Sequence, residues 1–197
     1  MNILIESLKT KIENCILKRL TESEEDMIVN NLSTFDTFEN YSLAVLSEAV
    51  EITKNGNSSY LLLLNLQTTI KGTRIPQNES TISDYELIGL AVLKKKYGRV
   101  LIKPETLEDK INDLFSHVDI DFDFDKEFSK KYYVIATNES LFRNNISTQF
   151  IETIREVKGL EIGLNDNILI VRLRKQFTPE NGEIIAKFLT VMNNGRN

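Results

Sequence analysis

The stretch from Tyr132 to Asn194 constrains the fold most, because strand, helix, hairpin and helix signals follow one another there with almost no residues between them. KYYVIAT (131–137) is an apolar β run. SLFRNNISTQFIETIREVKG (140–159) carries a helical stripe at Leu141, Phe142, Ile146, Phe150, Ile154 and Val157, with Ser147 placed to cap the second of two shorter helices and Gly159 to close it. LEIGLNDNILIVRLR (160–174) reads as a hairpin. Thr178-Pro179 then starts a capped helix, with proline at the first helical position and Ile184, Ile185, Phe188, Leu189 and Met192 as its buried face. Such an order specifies a packed α+β unit, in which sheet and helices bury each other's apolar faces.

Upstream, the signals change twice. Leu4, Leu8, Ile12, Cys15, Ile16 and Leu20 fall on one face of an amphipathic helix, and Thr21 with Glu24 forms a capping box for a second helix through Met27 and Ile28. Two helices of this length are marginal alone, so something is expected to cover this helical stripe: the body of the protein, a partner or a second copy of the chain. From about Asn40 the pattern turns to β. Leu43–Ile52 fits helix at its start and strand at its end, Asn55-Gly56-Asn57 is a turn, and Tyr60–Leu66 is an apolar strand. Residues 75–83, with Pro76, read as loop. Leu87–Leu93 is apolar enough for a central strand covered on both faces, and Gly89 inside it marks a bulge or a close approach. Tyr97-Gly98 is read as the turn of a further hairpin into Val100–Ile102, and Thr106–Phe115 as a short helix.

With 197 residues, a single domain is expected: an N-terminal helical segment (1–38), a first sheet-rich half (39–118) and a strand-helix-hairpin-helix half (119–197). The predicted class is α+β, an antiparallel or mixed sheet built from hairpins and covered by helices. A net charge of −5 argues against a general nucleic-acid or anionic-membrane binder. One cysteine, Cys15, excludes an internal disulfide and reads as a buried thiol. Glu6 and Lys9 interrupt the N-terminal apolar run too early for a secretory signal, and no stretch approaches the ~20 apolar residues of a spanning helix. The expectation is a cytoplasmic protein, with its Asn-x-Ser sequons accidental.

Candidate chemistry is sparse. DIDFDFD (119–125) alternates like a strand, but neither Asp121 nor Asp119 as first ligand puts glycine at the sixth position or glutamate at the twelfth of a calcium loop. Alternate carboxylates on a strand lie ~6.6 Å apart, too far to share an ion unaided, so the segment reads as an exposed strand whose charges resist edge pairing. His117 is the only histidine, and neither it nor any serine sits in a catalytic motif. No phosphate-binding glycine loop occurs. Glu152, Glu156, Arg155 and Lys158 read as a solvated helix face with local ion pairs. The one dense basic cluster, Lys94, Lys95, Lys96 and Arg99 around Tyr97, is a candidate contact for an anion, RNA or an acidic partner, or simply a solvated turn.

LIGLAVLKKKYGRVLIKP (87–104), FSKKYYVIATNESLFRNNISTQFIETI (128–154) and LEIGLNDNILIVRLR together resemble a family of uncharacterised bacterial proteins known only as a domain of unknown function. In that family an F-x-G strand is followed by a turn and a second strand; here Leu87-Ile88-Gly89 stands in that place. The resemblance implies a fold and a bacterial origin, and no activity. The functional expectation is a non-catalytic binding or protein-interaction module without metal or cofactor. The alternatives are an enzyme whose site is assembled from dispersed Asp, Glu, Lys and Tyr residues, or an anion or RNA contact at residues 94–99.

Overall fold

The computed structural model describes residues 16–32, 34–35, 43–71, 79–106, 120–122, 125–173 and 178–194. Their centre is one eight-stranded sheet in which every neighbouring pair is antiparallel. β1 (Ile16–Arg19) lies at one edge, followed by β2 (Leu43–Lys54), β3 (Asn57–Lys71) and β4 (Glu79–Val92). The hairpin of β7 (Leu160–Asn165) and β8 (Ile168–Leu173) comes next, β8 beside β4 and β7 beside β5 (Arg99–Pro104). β6 (Tyr132–Ala136) closes the other edge.

The β2–β3 hairpin follows from its turn. Asn55 and Gly56 both take positive φ (53° and 76°), the two-residue geometry whose twist matches paired antiparallel strands. β2 is strand throughout, with one register shift between Leu46 and Glu48, so the helical reading of its start is overridden by pairing with β3. β4 begins at Glu79, and residues 79–83, read as loop, pair with β3 as far as Lys71↔Glu79.

Both faces of the sheet are covered, which is why β3 and β4 read as nearly continuous apolar runs. On the first face, Leu61, Leu63, Leu87, Ala91, Leu169 and Val171 join one core with Phe142, Phe150, Ile154 and the C-terminal helix. On the second, Leu62, Leu64, Ile88, Leu90 and Ile170 pack with Phe35 and with Ile28 and Leu32 of α1 (Glu22–Leu32). The helices after α1 are α2 (Lys126–Ser129), α3 (Glu139–Asn145), α4 (Thr148–Glu156) and α5 (Pro179–Asn194). The predicted caps form: Glu24 accepts from the Thr21 backbone N–H at 2.7 Å, Ser147 Oγ from Phe150 at 3.1 Å and Thr178 Oγ1 from Asn181 at 3.2 Å.

Gly89 is a close approach and not a bulge. A Cβ there would lie 2.6 Å from Ile185 Cγ2, 2.8 Å from Leu189 Cδ1 and 2.8 Å from Val171 Cγ1, so its missing side chain is the seat of α5. Ile185, Phe188, Leu189 and Met192 face the core as expected, whereas Ile184 is exposed.

Several expectations are corrected. Ile16–Arg19 is an edge strand and not the end of a helix: Leu17 packs on the first face and Lys18 lies opposite Glu51, a pairing that outweighs helical spacing. Residues 1–15, Thr106–Phe115 beyond Thr106, and His117 lie outside the described residues. β4 and β5 do not form a hairpin, because β8 and β7 stand between them. Ile120–Phe122 is not strand; Ile120 and Phe122 are buried, and only Asp121 is exposed. Asp125 is not an exposed edge charge. Its carboxylate is the buried N-cap of α2, accepting from Phe128 N at 2.9 Å and from Arg155 Nη1 at 2.9 Å. Arg155 therefore makes a long-range ion pair instead of a local one on its own helix.

Candidate interaction surface at the turn end of the sheet

Three connections meet at one end of the sheet: the β2–β3 turn, the β7–β8 turn and the segment 93–98. That segment carries the chain from β4 across the end of the C-terminal hairpin to β5. It is laced to the hairpin by Leu93 N to Asn167 O (2.7 Å), Tyr97 N to Asp166 O (2.9 Å) and Asp166 N to Gly98 O (3.0 Å). The crossing places the predicted basic cluster at this end but does not converge it. Lys94 and Lys96 are exposed, and Lys96 Nζ lies 3.8 Å from Asp166. Lys95 Nζ donates to the Asn145 carbonyl at the end of α3 (3.4 Å), while Asn145 Nδ2 donates back to Lys96 O (2.9 Å). Arg99 Nη2 donates to Thr34 O (3.2 Å), just beyond α1. The cations fan across the end of the sheet, which suits an extended partner better than a single small anion.

Tyr97, the aromatic at the cluster's centre, points the other way. It is 1% exposed, tilted against Phe150 (centroids 5.6 Å) and edge-on to Phe142 (6.3 Å). Burial raises its hydroxyl pKa, and its Oη has no hydrogen-bond partner. A ring held in the core cannot stack on a base, so the aromatic half of the RNA reading is lost.

Strand register adds what the basic run alone does not show. On the second face, one row of residues crosses this end of the sheet: Ile16, Thr53 and Ser58, then Val92, one residue beyond the Ser59↔Ala91 pair and so level with Ser58, then Ile168, Asn165 and Arg99. Ile16 is 70% and Val92 56% exposed, and Ile168, directly opposite Val92, is half-buried. Neighbouring strands lie ~4.8 Å apart, so Val92 and Ile168 form a contiguous apolar spot with Arg99 two strands further on. Lys94 follows β4. The result is apolar side chains bordered by cations.

The other polar constellation lies deeper on the second face. Arg172 of β8 donates through Nε (2.9 Å) and Nη2 (2.5 Å) to Glu161 of β7, and through Nη1 to both oxygens of Glu86 of β4 (3.1 Å each). All three side chains are buried. On the same face Lys103 Nζ sits 5.4 Å from the Tyr133 ring centroid. The guanidinium ties three adjacent strands together, and a pairing slipped by one residue would turn these charges to the other face. These residues read as ordinary alternating polar positions; their only sequence signal is a charge inside a run otherwise apolar on both faces.

Among the described residues no three His, Cys, Asp or Glu side chains gather as a metal site, and no described helix is long and apolar enough to cross a membrane. No protein-family model matches the chain, and neither the curated proteins nor the solved structures contain a match.

Proposed function

We propose that this protein is a non-catalytic interaction module that docks an acidic, partly apolar protein segment at the turn end of its sheet. The observation carrying the reading is the surface itself: exposed Ile16 and Val92 and half-buried Ile168 bordered by Lys94, Lys96 and Arg99, in a chain whose overall charge is −5. Exposed apolar side chains provide the area that drives association, and a local cationic border selects an acidic partner and speeds its approach. Nucleic acid fits less well, since the cluster's aromatic ring is buried and the remainder of the chain is acidic.

Of the two N-terminal helices expected, α1 is the one that lies among the described residues. Ile28 and Leu32, the apolar side of α1, are already covered by the second face of the chain's own sheet. Any partner must use what is left outside.

Fluorescence anisotropy tests the reading with a labelled peptide of alternating Glu and Leu, against a single-stranded RNA and an uncharged peptide of equal length. Saturable binding of the acidic peptide alone, lost in Lys94→Glu/Lys96→Glu and weakened in Val92→Ser, is the expected result. Preference for RNA, or binding indifferent to these changes, overturns it.

A further inference from the structure

Resting on that reading, we infer that the acidic segment is α1 of a second copy of this chain, so that two copies close into a dimer. α1 has the sequence ESEEDMIVNNL, with four acidic residues and no base. Its inner side is occupied by Ile28 and Leu32. Its outer side presents Glu22 and Asp26 on the same flank as Val29, 37% exposed, while Met27, 57% exposed, lies on the opposite flank. Surface helices normally turn their apolar residues inward, so Val29 turned outward beside two acids makes a second unsatisfied surface. It is the complement of the first, with acid where the other has base and apolar side chains on both.

Position favours a reciprocal contact. α1 lies on the second face, and the chain leaving it reaches the turn end itself, where Thr34 O accepts from Arg99 and Thr34 Oγ1 accepts from Asn165 Nδ2 at 3.0 Å. Both surfaces therefore open to the same side of the molecule. A two-fold axis between them sets each α1 on the other copy's basic end, making the same contact twice. Extending the sheet from β1 is the poorer route to a dimer: this edge strand is four residues long and carries Lys18 and Arg19, and β2 shifts register just beyond it.

Sedimentation velocity of the full chain over ~1 to ~100 μM, at ~50 and ~500 mM salt, should show a monomer–dimer equilibrium weakened by salt at least several-fold. Lys94→Glu/Lys96→Glu gives a chain acidic on both surfaces, and Glu22→Lys/Asp26→Lys one basic on both; each alone should be monomeric with an unchanged circular dichroism spectrum. Mixed in equal amounts, the two should form a heterodimer, because both reciprocal contacts are then attractive. Wild-type dimers unaffected by either change, or folded variants that stay monomeric on mixing, overturn the inference. A monomeric wild type that still binds the Glu-Leu peptide overturns the second copy as partner and leaves the acidic-segment reading standing. If the peptide is not bound either, that reading falls as well.

Discussion

At Gly89 a single missing side chain decides where a whole helix sits. The added Cβ of Gly89→Ala meets Ile185, Leu189 and Val171 at 2.6–2.8 Å, and Ile185, Leu189 and Val171 are themselves buried. Interiors packed like this yield little, so the substitution is expected to cost about 1–3 kcal/mol, read as a lower urea midpoint with an unchanged slope. Tyr97 predicts the opposite sign. Its hydroxyl is buried without a partner, so the folded state carries a desolvation cost that phenylalanine removes while keeping both ring contacts. Tyr97→Phe should leave stability unchanged or raise it by about 1 kcal/mol in the same assay. A loss would mean that the hydroxyl is satisfied in solution.

Among the elements, α1 shows how far local chemistry can be read. Its start is legible because a capping box is a short-range device: Thr21 and Glu24 are three residues apart and need nothing else. The Thr21 backbone N–H first, then its hydroxyl and Lys18, hold the Glu24 carboxyl down at about 2. A carboxyl whose pKa is depressed by folding stabilises the helix above its unfolded value near 4.5 and loses that contribution as pH falls toward 2. Helical ellipticity should therefore fall across that window in the native chain, and Glu24→Gln should flatten this part of the acid titration. Other elements show where such reading stops. Ile16–Arg19 continues a helical stripe on paper, yet becomes a strand because β2 offers it an edge, and nothing nearby in sequence records that. The candidate surface was half legible in the same sense. Lys94–Arg99 stands out as a charge run, whereas Ile16, Val92 and Ile168 are far apart in sequence and share a row only once every strand between them is in register. The Glu86–Arg172–Glu161 set likewise needs three strands aligned. Removing its cation by Arg172→Met strands two buried carboxylates and should cost about 3–5 kcal/mol, measured by denaturant unfolding.

For the whole molecule, the order of the strands carries the argument. The N-terminal meander β1–β4 and the pair β5–β6 have no direct sheet contact; the β7–β8 hairpin supplies both joints, β8 to β4 and β7 to β5. Each joint is long in sequence, with Ile88 paired to Arg172 and Leu101 to Gly163, so loop closure must precede the contacts that stabilise it. The same hairpin supplies Leu169 and Val171 to the first-face core and Ile170 to the second. Two halves that share one linker on both faces cannot lose it and remain a single cooperative unit. Ending the chain at Lys158 removes β7, β8 and α5, leaving β4 and β5 each short of a neighbour and Gly89 open where α5 sat. Hydrogen exchange should then show β4 amides, slow in the intact chain, exchanging as fast as those of its edge strands, with the sharp urea transition gone. A truncated chain that kept slow β4 amides and a single transition would show that the meander folds by itself, and the C-terminal hairpin would then be an addition to the sheet instead of its joint.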